Sequence, residues 1–248
     1  MIRTALIALF LTVYTILVGP PLLLYSVCVG DVDLLYRLGL GGILFVVRAV
    51  GVRVRVEGVE NVPAGVCLFV ANHTSNADAP AIIGAIPRRI AVLAKESLFR
   101  IPIFGQALRL ARFVPVDRAN RDAAIASIKK ASEALRQGTS FLIYPEGTRS
   151  PDGRLQAFKK GAFVMAIKAG VPIVPVACSG AHRVMQKRSW VVRPGEVVVR
   201  FQPAIDASKY TFEQRDKLSS CVRASLAEAL PPDQRPTDLA DPPDITDR

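Results

Sequence analysis

The stretch from Thr4 to Gly30 contains no charged residue, and this feature limits most strongly what the start of the chain can form. Its length suffices to cross the hydrocarbon core of a bilayer as one helix. Gly19, Pro20 and Pro21 interrupt the run, and proline inside a helix breaks or kinks it. Two arrangements remain open: a single kinked membrane-spanning helix, or a helical hairpin that enters one leaflet and returns.

A second apolar segment, Leu34 to Val50, follows at once and carries only Arg37 and Arg48 as charges. A helix of this kind can lie at the membrane interface with its arginines at the headgroups. We therefore assign residues 1–50 to an N-terminal hydrophobic helical membrane anchor. A cleaved signal peptide is the alternative, but no clean small-x-small cleavage site follows, and the second apolar segment argues against it.

The whole chain is basic and apolar at once. Its 248 residues carry a formal net charge of +11, and its mean hydropathy is +0.30. A basic excess favours anionic partners such as nucleic acid, an anionic membrane surface or a phosphorylated substrate. The hydropathy is high for a soluble nucleic-acid-binding protein, and no recognition motif for nucleic acid is present. We therefore expect membrane lipid as a partner and no nucleic acid.

Cysteine and histidine are too few and too scattered to suggest a metal site. No CxxC pair occurs among the four cysteines, so structural zinc is not expected. Each cysteine lies in an apolar stretch, which predicts buried, reduced thiols and a cytoplasmic compartment. Any histidine chemistry must use one of the two histidines, His73 or His182.

Beyond Gly51 the pattern becomes that of a globular domain. Short apolar or alternating runs predict strands at 52–56, 66–71, 90–94, 113–116, 141–144, 173–177 and 197–201. Apolar residues at helical spacing predict helices at 121–137, 158–169 and 212–230. This alternation predicts an α/β fold with a mostly parallel or mixed central sheet flanked by helices. In such sheets, ligand sites gather at the carboxyl ends of the strands.

The ends of these elements carry the expected signals. Asn120 is suited to cap the helix at 121–137, and Gly138 is suited to end it. We assign residues 51–230 to one globular domain. From Pro231 the chain is rich in proline and aspartate and poor in apolar residues, which predicts a disordered tail at 231–248.

A histidine and an aspartate stand five residues apart directly after the strand that ends at Ala71. If a helix begins near Asp78, the loop can fold back so that its carboxylate accepts a hydrogen bond from the His73 imidazole. That bond would fix the tautomer and leave the other ring nitrogen as a base, in the logic of a catalytic triad without its serine. The nucleophile would be a hydroxyl of the substrate. The alternative is a polar turn capped by Asp78.

Two further strand ends carry arginine. The segment Tyr144 to Ser150 reads YPEGTRS, and its proline and glycine favour a tight turn that exposes backbone N–H groups. Arg149 in this turn offers a planar fork of donors that matches a phosphate, and Glu146 can support it or contact a hydroxyl. Arg118, after the strand at 113–116, is a second candidate phosphate ligand, and Asp117 could hold it in place or neutralise it at the surface. An ordinary surface turn with a solvated ion pair is the alternative.

Four blocks match one known family in order and spacing. They are an NHxxxxD block with Asn72, His73 and Asp78, a block ending in Arg118, the YPEGTRS block, and a VPIVPV block at 171–176. On these motifs the chain resembles the lysophospholipid acyltransferases, specifically the 1-acylglycerol-3-phosphate acyltransferases of the bacterial type, over residues 50–205. Any one block is weak alone, whereas chance does not account for all four together.

The chain departs from the family pattern at two places. A glycine often precedes the strand of the second block, where this chain has Ala111 and Arg112. That difference puts the local backbone shape in question. The third block begins with Tyr144 rather than phenylalanine, which is a mild change.

The resemblance implies a glycerolipid acyltransferase-like fold and an O-acyltransferase of phospholipid biosynthesis. Such an enzyme moves a fatty acyl group from acyl-CoA or acyl-carrier protein to the sn-2 hydroxyl of 1-acyl-sn-glycerol-3-phosphate, giving phosphatidic acid. His73 would be the catalytic base, and Asp78 would orient it. Substrate binding would fall to residues of these blocks and of a KESL segment that resembles the family's KxEL: Asn72, Lys95, Arg118, Glu146, Gly147, Thr148 and Arg149.

The resemblance also implies partners and a location. The lysophospholipid is the acceptor, the acyl thioester is a co-substrate, and no cofactor or metal is implied. The expected location is the cell inner membrane, with the catalytic domain on the cytoplasmic side.

Other functions are compatible with parts of this pattern. The acceptor could instead be glycerol-3-phosphate or a lyso-aminolipid such as lyso-ornithine lipid, since the four blocks do not separate these. A catalytically silent membrane-binding protein would have no chemical need for both His73 and Asp78. An acyl-ester hydrolase is disfavoured because the sequence lacks a GxSxG nucleophile elbow.

Overall fold

Seven short strands form one mixed sheet in the computed structural model, which describes residues 2–117, 119–189 and 191–237. Across the sheet their order is β1-β7-β6-β2-β5-β3-β4. Neighbours are parallel except β6 and β7, which are antiparallel. The predicted α/β fold with a mostly parallel or mixed sheet is confirmed. In chain order the strands are β1 (Val52–Glu57), β2 (Leu68–Ala71), β3 (Ala91–Lys95), β4 (Val114–Val116), β5 (Phe141–Ile143), β6 (Ile173–Ser179) and β7 (Gly195–Phe201).

The described part of the chain also contains α-helices and short 3-10 turns. The helices are α1 (Ile2–Val29), α2 (Asp33–Ala49), α3 (Asp78–Ala85), α4 (Phe104–Leu110), α5 (Arg121–Arg136), α6 (Gly161–Ala169), α7 (Ala181–Val184) and α8 (Arg215–Ala229). The 3-10 turns are Val59–Asn61, Glu96–Arg100, Ala207–Lys209, Phe212–Gln214 and Pro232–Gln234.

Helix α5 begins at Arg121 as predicted and ends at Arg136, one residue before the predicted end. Asn120 Oδ1 accepts a hydrogen bond from the Ala123 N–H at 3.1 Å, which satisfies one of the N–H groups left unpaired at a helix start. Just beyond the helix, Gly138 adopts φ 97°, a conformation that glycine tolerates at little steric cost.

The central strand β2 shows why its sequence is a continuous apolar run. All of its residues are fully buried, and successive side chains point to opposite faces of the sheet. Leu68 and Val70 pack with residues of α5, α6 and α8, whereas Phe69 and Ala71 pack with residues of α3 and α7. Helices therefore cover both faces, as is typical of a sheet with much parallel pairing.

One edge of the sheet collects the loops that the sequence singles out. Strands β2, β5, β3 and β4 run parallel, so their carboxyl ends share that edge. The loops that leave it contain His73, the YPEGTRS turn and Asp117, and Lys95 ends β3 there. A site built from these residues is therefore possible on topology alone.

The N-terminal apolar stretch is one continuous helix, α1, with Pro20 and Pro21 inside it. A hairpin within this stretch is therefore not formed, and the single-helix arrangement is the one observed. By length and composition the helix could cross a membrane, with a mean hydropathy of 2.1 from Thr4 to Val29. Helix α2 packs beside it, because the Tyr14 hydroxyl donates to the Leu38 C=O at 2.9 Å.

Several element ends differ from the prediction. Each strand differs from its predicted range by one or two residues, and the helix predicted at 212–230 begins as a 3-10 turn before α8 starts at Arg215. The helix predicted at 158–169 begins only at Gly161, because the Lys159 N–H donates to the Pro145 C=O at 2.8 Å. The predicted disordered tail does not begin at Pro231. Gln234 is buried, and its Nε2 donates to the Gly153 C=O at 3.2 Å. The rest of the predicted tail, residues 238–248, lies outside the described residues.

Two of the four cysteines are buried and two are exposed. Cys67 and Cys178 are buried as predicted, whereas Cys28 and Cys221 are exposed, because they lie on outer faces of α1 and α8.

Arg112, where the family that the chain resembles often has a glycine before β4, adopts φ 62°, a left-handed conformation that glycine takes without strain. The chain thus keeps a glycine-like backbone before β4 although it has no glycine there.

Candidate active site

His73 and Asp78 meet as the sequence predicts. Strand β2 ends at Ala71 and α3 begins at Asp78, so the loop between them folds back on itself. His73 Nδ1 lies 3.0 Å from Asp78 Oδ2. The Asp78 side chain is fully buried, whereas 12% of the His73 side chain is exposed. Within this pair, the imidazole is therefore the group that a ligand can reach.

The Asp78 carboxylate accepts several further hydrogen bonds. The Thr74 and Ser75 N–H groups donate to Oδ2 at 2.6 and 2.8 Å. The Cys178 thiol lies 3.6 Å from Oδ1, and burial raises the pKa of that thiol well above its ordinary value, so it stays a neutral donor. An ionised carboxylate only accepts hydrogen bonds, so a neutral His73 beside it would carry its proton on Nδ1 and a lone pair on Nε2.

The ring of Tyr144 stacks on the His73 imidazole. Their centroids are 4.1 Å apart and their planes differ by 20°. Tyr144 directly follows β5, which pairs in parallel with β2, so two neighbouring strand ends bring the rings together. Such packing restrains rotation of the imidazole. This contact was not predicted, although an aromatic residue at the start of the YPEGTRS turn was a signal for it.

The YPEGTRS turn also holds the main chain of His73 from two sides. Glu146 Oε1 accepts a hydrogen bond from the His73 N–H at 2.7 Å, and the Ser150 N–H donates to the His73 C=O at 2.7 Å. Burial raises the pKa of Glu146 to about 8, although its hydrogen bonds oppose that rise. His73 is thus fixed through its backbone as well as through its ring.

Two residues that the sequence assigns to substrate binding are turned into the protein instead. The fully buried Asn72 amide donates to the Cys178 C=O at 2.8 Å and accepts from the Cys178 N–H at 2.7 Å, which joins the end of β2 to β6. Glu146 Oε2 accepts from Gln156 Nε2 at 2.8 Å. Because their polar atoms satisfy buried partners, Asn72 and Glu146 have contacts that fit a positioning role. Gln156 was not predicted, since it lies outside every recognised block.

Two basic residues, Arg149 and Lys95, lie at the same edge of the sheet. Arg149 is half-buried and Lys95 is exposed, and among the residues that the structure describes no carboxylate pairs with either side chain. Thr148 is exposed on the same turn, and Gly147 gives that turn its shape with φ 71°. Arg118 lies outside the described residues, two positions after β4 ends at Val116.

The arrangement places an imidazole at the same edge of the sheet as a turn whose arginine is suited to bind an anion. A neutral imidazole with a free Nε2 can remove a proton from a hydroxyl. Cations beside it can hold an anionic substrate so that the hydroxyl stays near the base. Within residues 2–117, 119–189 and 191–237, no three or more His, Cys, Asp or Glu side chains are grouped to hold a metal ion.

Known proteins resemble this chain in sequence and in fold. A family model described as Acyltransferase matches residues 53–179. The chain belongs to the acyltransferase family. The matched range of this acyltransferase contains His73, Asp78, Cys178 and the whole YPEGTRS turn.

Relatives of this acyltransferase occur in plants and bacteria. The 1-acyl-sn-glycerol-3-phosphate acyltransferase of Limnanthes douglasii is 32% identical over 198 residues, which are 79% of this chain and 69% of the relative. The enzyme of that name from Pseudomonas aeruginosa is 32% identical over 190 residues, 75% of this chain and 73% of the relative. The crystal structure of the 1-acyl-sn-glycerophosphate acyltransferase PlsC from Thermotoga maritima matches with a TM-score of 0.75 and 32% identity, covering 92% of this chain and 96% of that one.

Proposed function

We propose that this acyltransferase moves a fatty acyl group from acyl-CoA or acyl-carrier protein to the sn-2 hydroxyl of 1-acyl-sn-glycerol-3-phosphate, giving phosphatidic acid. The observation that carries the proposal is the contact of 3.0 Å between His73 and a buried Asp78, beside a turn whose Arg149 has no carboxylate partner among the described residues. Relatives named for this reaction, at 32% identity, support the choice of acceptor.

His73 acts as the general base in this reaction. Its Nε2 takes the proton of the acceptor hydroxyl while the oxygen attacks the thioester carbonyl. The resulting tetrahedral oxyanion collapses, the C–S bond breaks, and the leaving sulfur receives the proton from the imidazolium. Asp78 stabilises that imidazolium and holds the ring in the tautomer with a free Nε2.

The acceptor phosphate is bound by the basic residues at this edge. Arg149 supplies a fork of donors, with Arg118 and Lys95 as further cations and Gly147 and Thr148 shaping the turn. A clamped phosphate lowers the entropic part of the barrier because the hydroxyl is kept near His73. Asn72 and Glu146 serve the site through the loop that carries the histidine.

Backbone N–H groups of the third block are suited to bind developing negative charge. The N–H groups of His73, Thr74 and Ser75 already donate to Glu146 and Asp78. In the described part of the chain, the Thr148 and Arg149 N–H groups donate to no protein acceptor. They therefore remain available for the oxyanion or the phosphate of a bound substrate.

Membrane attachment fits these substrates. The exposed helix α1 anchors the protein in the cell inner membrane, and the catalytic domain faces the cytoplasm, where acyl thioesters are made. Acceptor and product are anionic amphiphiles of the bilayer, and a chain with a net charge of +11 attracts them.

An acceptor panel tests this proposal. Purified protein is assayed with one acyl-CoA and one acyl-carrier protein donor against 1-acyl-sn-glycerol-3-phosphate, glycerol-3-phosphate, a lyso-aminolipid and a monoacylglycerol. We expect 1-acyl-sn-glycerol-3-phosphate to give the highest kcat/KM. A higher value for glycerol-3-phosphate or for the lyso-aminolipid would reassign the acceptor. Absence of transfer with every acceptor would instead support a silent membrane-binding protein.

A further inference from the structure

The backbone of Lys159 is hydrogen-bonded to the turn that contains Arg149. Its N–H donates to the Pro145 C=O at 2.8 Å, which delays the start of α6 to Gly161. Helical periodicity alone would have placed Lys159 within a helix. The bond instead joins Lys159 to the YPEGTRS turn.

The side chain of Lys159 runs over Gly147. A Cβ built on Gly147 would lie 3.0 Å from Lys159 Cε, 3.2 Å from Cδ and 3.3 Å from Nζ. The lysine stem therefore occupies the space that any other residue at position 147 would need, and the ammonium group ends at the turn. Gly147 thus serves two purposes, since its φ of 71° also favours glycine.

No carboxylate neutralises this ammonium group among the residues that the structure describes. The nearby Glu146 directs its oxygens to the His73 N–H and to Gln156 Nε2. The adjacent Lys160 differs, because its Nζ lies 3.0 Å from Asp216. Two consecutive lysines therefore have different surroundings. Lys160 is in an ion pair, whereas the Lys159 side chain lies over Gly147 in the turn that also contains Arg149.

We propose that Lys159 binds a substrate phosphate monoester together with Arg149. This inference rests on the proposed function, because the phosphate belongs either to the lysophospholipid acceptor or to the 3′ position of coenzyme A. A flexible ammonium suits this role as a point charge beside the arginine fork. Gly147 contributes by leaving room for the lysine stem.

The test compares Lys159→Met with Lys160→Met. Methionine keeps a similar unbranched stem and removes the charge, and Lys160 is the matched control at the next position. We expect Lys159→Met to raise KM for one phosphate-bearing substrate by about tenfold, with kcat nearly unchanged, as is typical of a lost charged hydrogen bond. We expect Lys160→Met to leave both KM values near those of the wild type.

The choice of varied substrate identifies the phosphate. A rise confined to KM for 1-acyl-sn-glycerol-3-phosphate assigns Lys159 to the acceptor. A rise confined to KM for acyl-CoA, which disappears with acyl-dephospho-CoA, assigns it to the donor. Unchanged KM values for both substrates in Lys159→Met, or equal changes in Lys160→Met, would overturn the inference.

A binding measurement separates this inference from the proposed function. Calorimetric titration of wild type and both variants with glycerol-3-phosphate and with coenzyme A requires no turnover. Weaker binding of either probe to Lys159→Met alone supports the phosphate site even if the acceptor panel shows no transfer. Identical binding by all three proteins would contradict the site even if transfer is normal.

Discussion

At the scale of single residues, His73 is held by four contacts that come from two parts of the chain, the start of α3 and the YPEGTRS turn. Its Nδ1 meets Asp78, its ring lies on Tyr144, its N–H donates to Glu146, and its C=O accepts from Ser150. A base held in this way needs little reorganisation before it takes a proton. Part of the site's structure therefore serves to position His73.

Glu146 predicts a pH dependence of stability. Burial raises its pKa to about 8 from the ordinary value of 4.5. Between these two values the folded protein holds the proton and the unfolded chain releases it, so the free energy of unfolding falls as pH rises through this window. We expect the wild type to lose more stability than Glu146→Gln between pH 5 and 8, measured by denaturant unfolding.

A control sets the reference for this comparison. Glu60→Gln, at an exposed position, removes the same charge from the chain without touching the site. Its stability should follow that of the wild type across the pH range. If Glu146→Gln and the wild type have the same pH dependence, the raised pKa is wrong.

The contact between His73 and Asp78 was predictable because both residues lie within one short loop between a strand and a helix. The partners of Asn72 and Glu146 were not predictable in this way. Asn72 bonds to Cys178, which is distant in sequence, and Glu146 bonds to Gln156 outside any motif. Local spacing therefore reveals the reacting pair, whereas the side chains that hold its loop depend on tertiary contacts.

At the scale of elements, glycines allow the N-terminal helices to pack closely. The ring of Tyr14 on α1 lies over Gly42 on α2, where an added Cβ would come within 2.6 Å of it. Leu44 on α2 covers Gly84 on α3 in a similar way, at 2.9 Å. Because α3 begins with Asp78, α2 packs against the helix that carries half of the proposed catalytic pair.

Substitution of adjacent glycines on α2 tests this packing. Gly41→Ala meets no atom within 4 Å, so we expect it to stabilise the protein by up to about 1 kcal/mol through helix propensity. Gly42→Ala meets the Tyr14 ring, so we expect a loss of about 1–3 kcal/mol from overpacking. Unfolding in one detergent measures both, and equal effects would show that α1 does not pack here.

The strands and helices were largely predictable, because each carries a clear apolar period and end signals such as Asn120. The late start of α6 was not predictable. It depends on the hydrogen bond from the Lys159 N–H to the Pro145 C=O, and the spacing of apolar residues carries no information about that bond. The packing of α2 on α3 was likewise absent from the pattern. The shapes of the helix surfaces decide which apolar faces pack together. Glycines allow close packing where two helices meet, but the sequence does not show which helix a given glycine faces.

At the scale of the whole molecule, a basic α/β domain is joined to an exposed apolar helix. The 92% coverage of this chain by the match to the Thermotoga maritima enzyme shows that the likeness includes more than the domain core. The composition and the exposure of α1 together suit an enzyme whose acceptor stays in the bilayer. Under the proposed function, attachment to the membrane is part of how the site meets its substrate.

Lysines on α1 test this attachment. Leu9 and Leu17 are 61% and 68% exposed, so Leu9→Lys with Leu17→Lys should leave the fold intact. Each buried lysine costs about 2.5–3.5 kcal/mol in a bilayer, so we expect the double variant to leave the membrane fraction. Ile125→Lys, on the exposed surface of α5, is the control and should sediment with membranes as the wild type does. Unchanged sedimentation of the double variant would argue against α1 as the anchor.

The most direct test of the account compares the two histidines by the kcat of acyl transfer to 1-acyl-sn-glycerol-3-phosphate. His73→Ala should lower kcat by about 10²–10⁴, the usual contribution of a general base, while circular dichroism shows an unchanged fold. His182→Ala, in α7 and bonded to Gln234, should retain most of the wild-type kcat. A folded His73→Ala protein that transfers acyl groups at the wild-type rate would contradict the central claim.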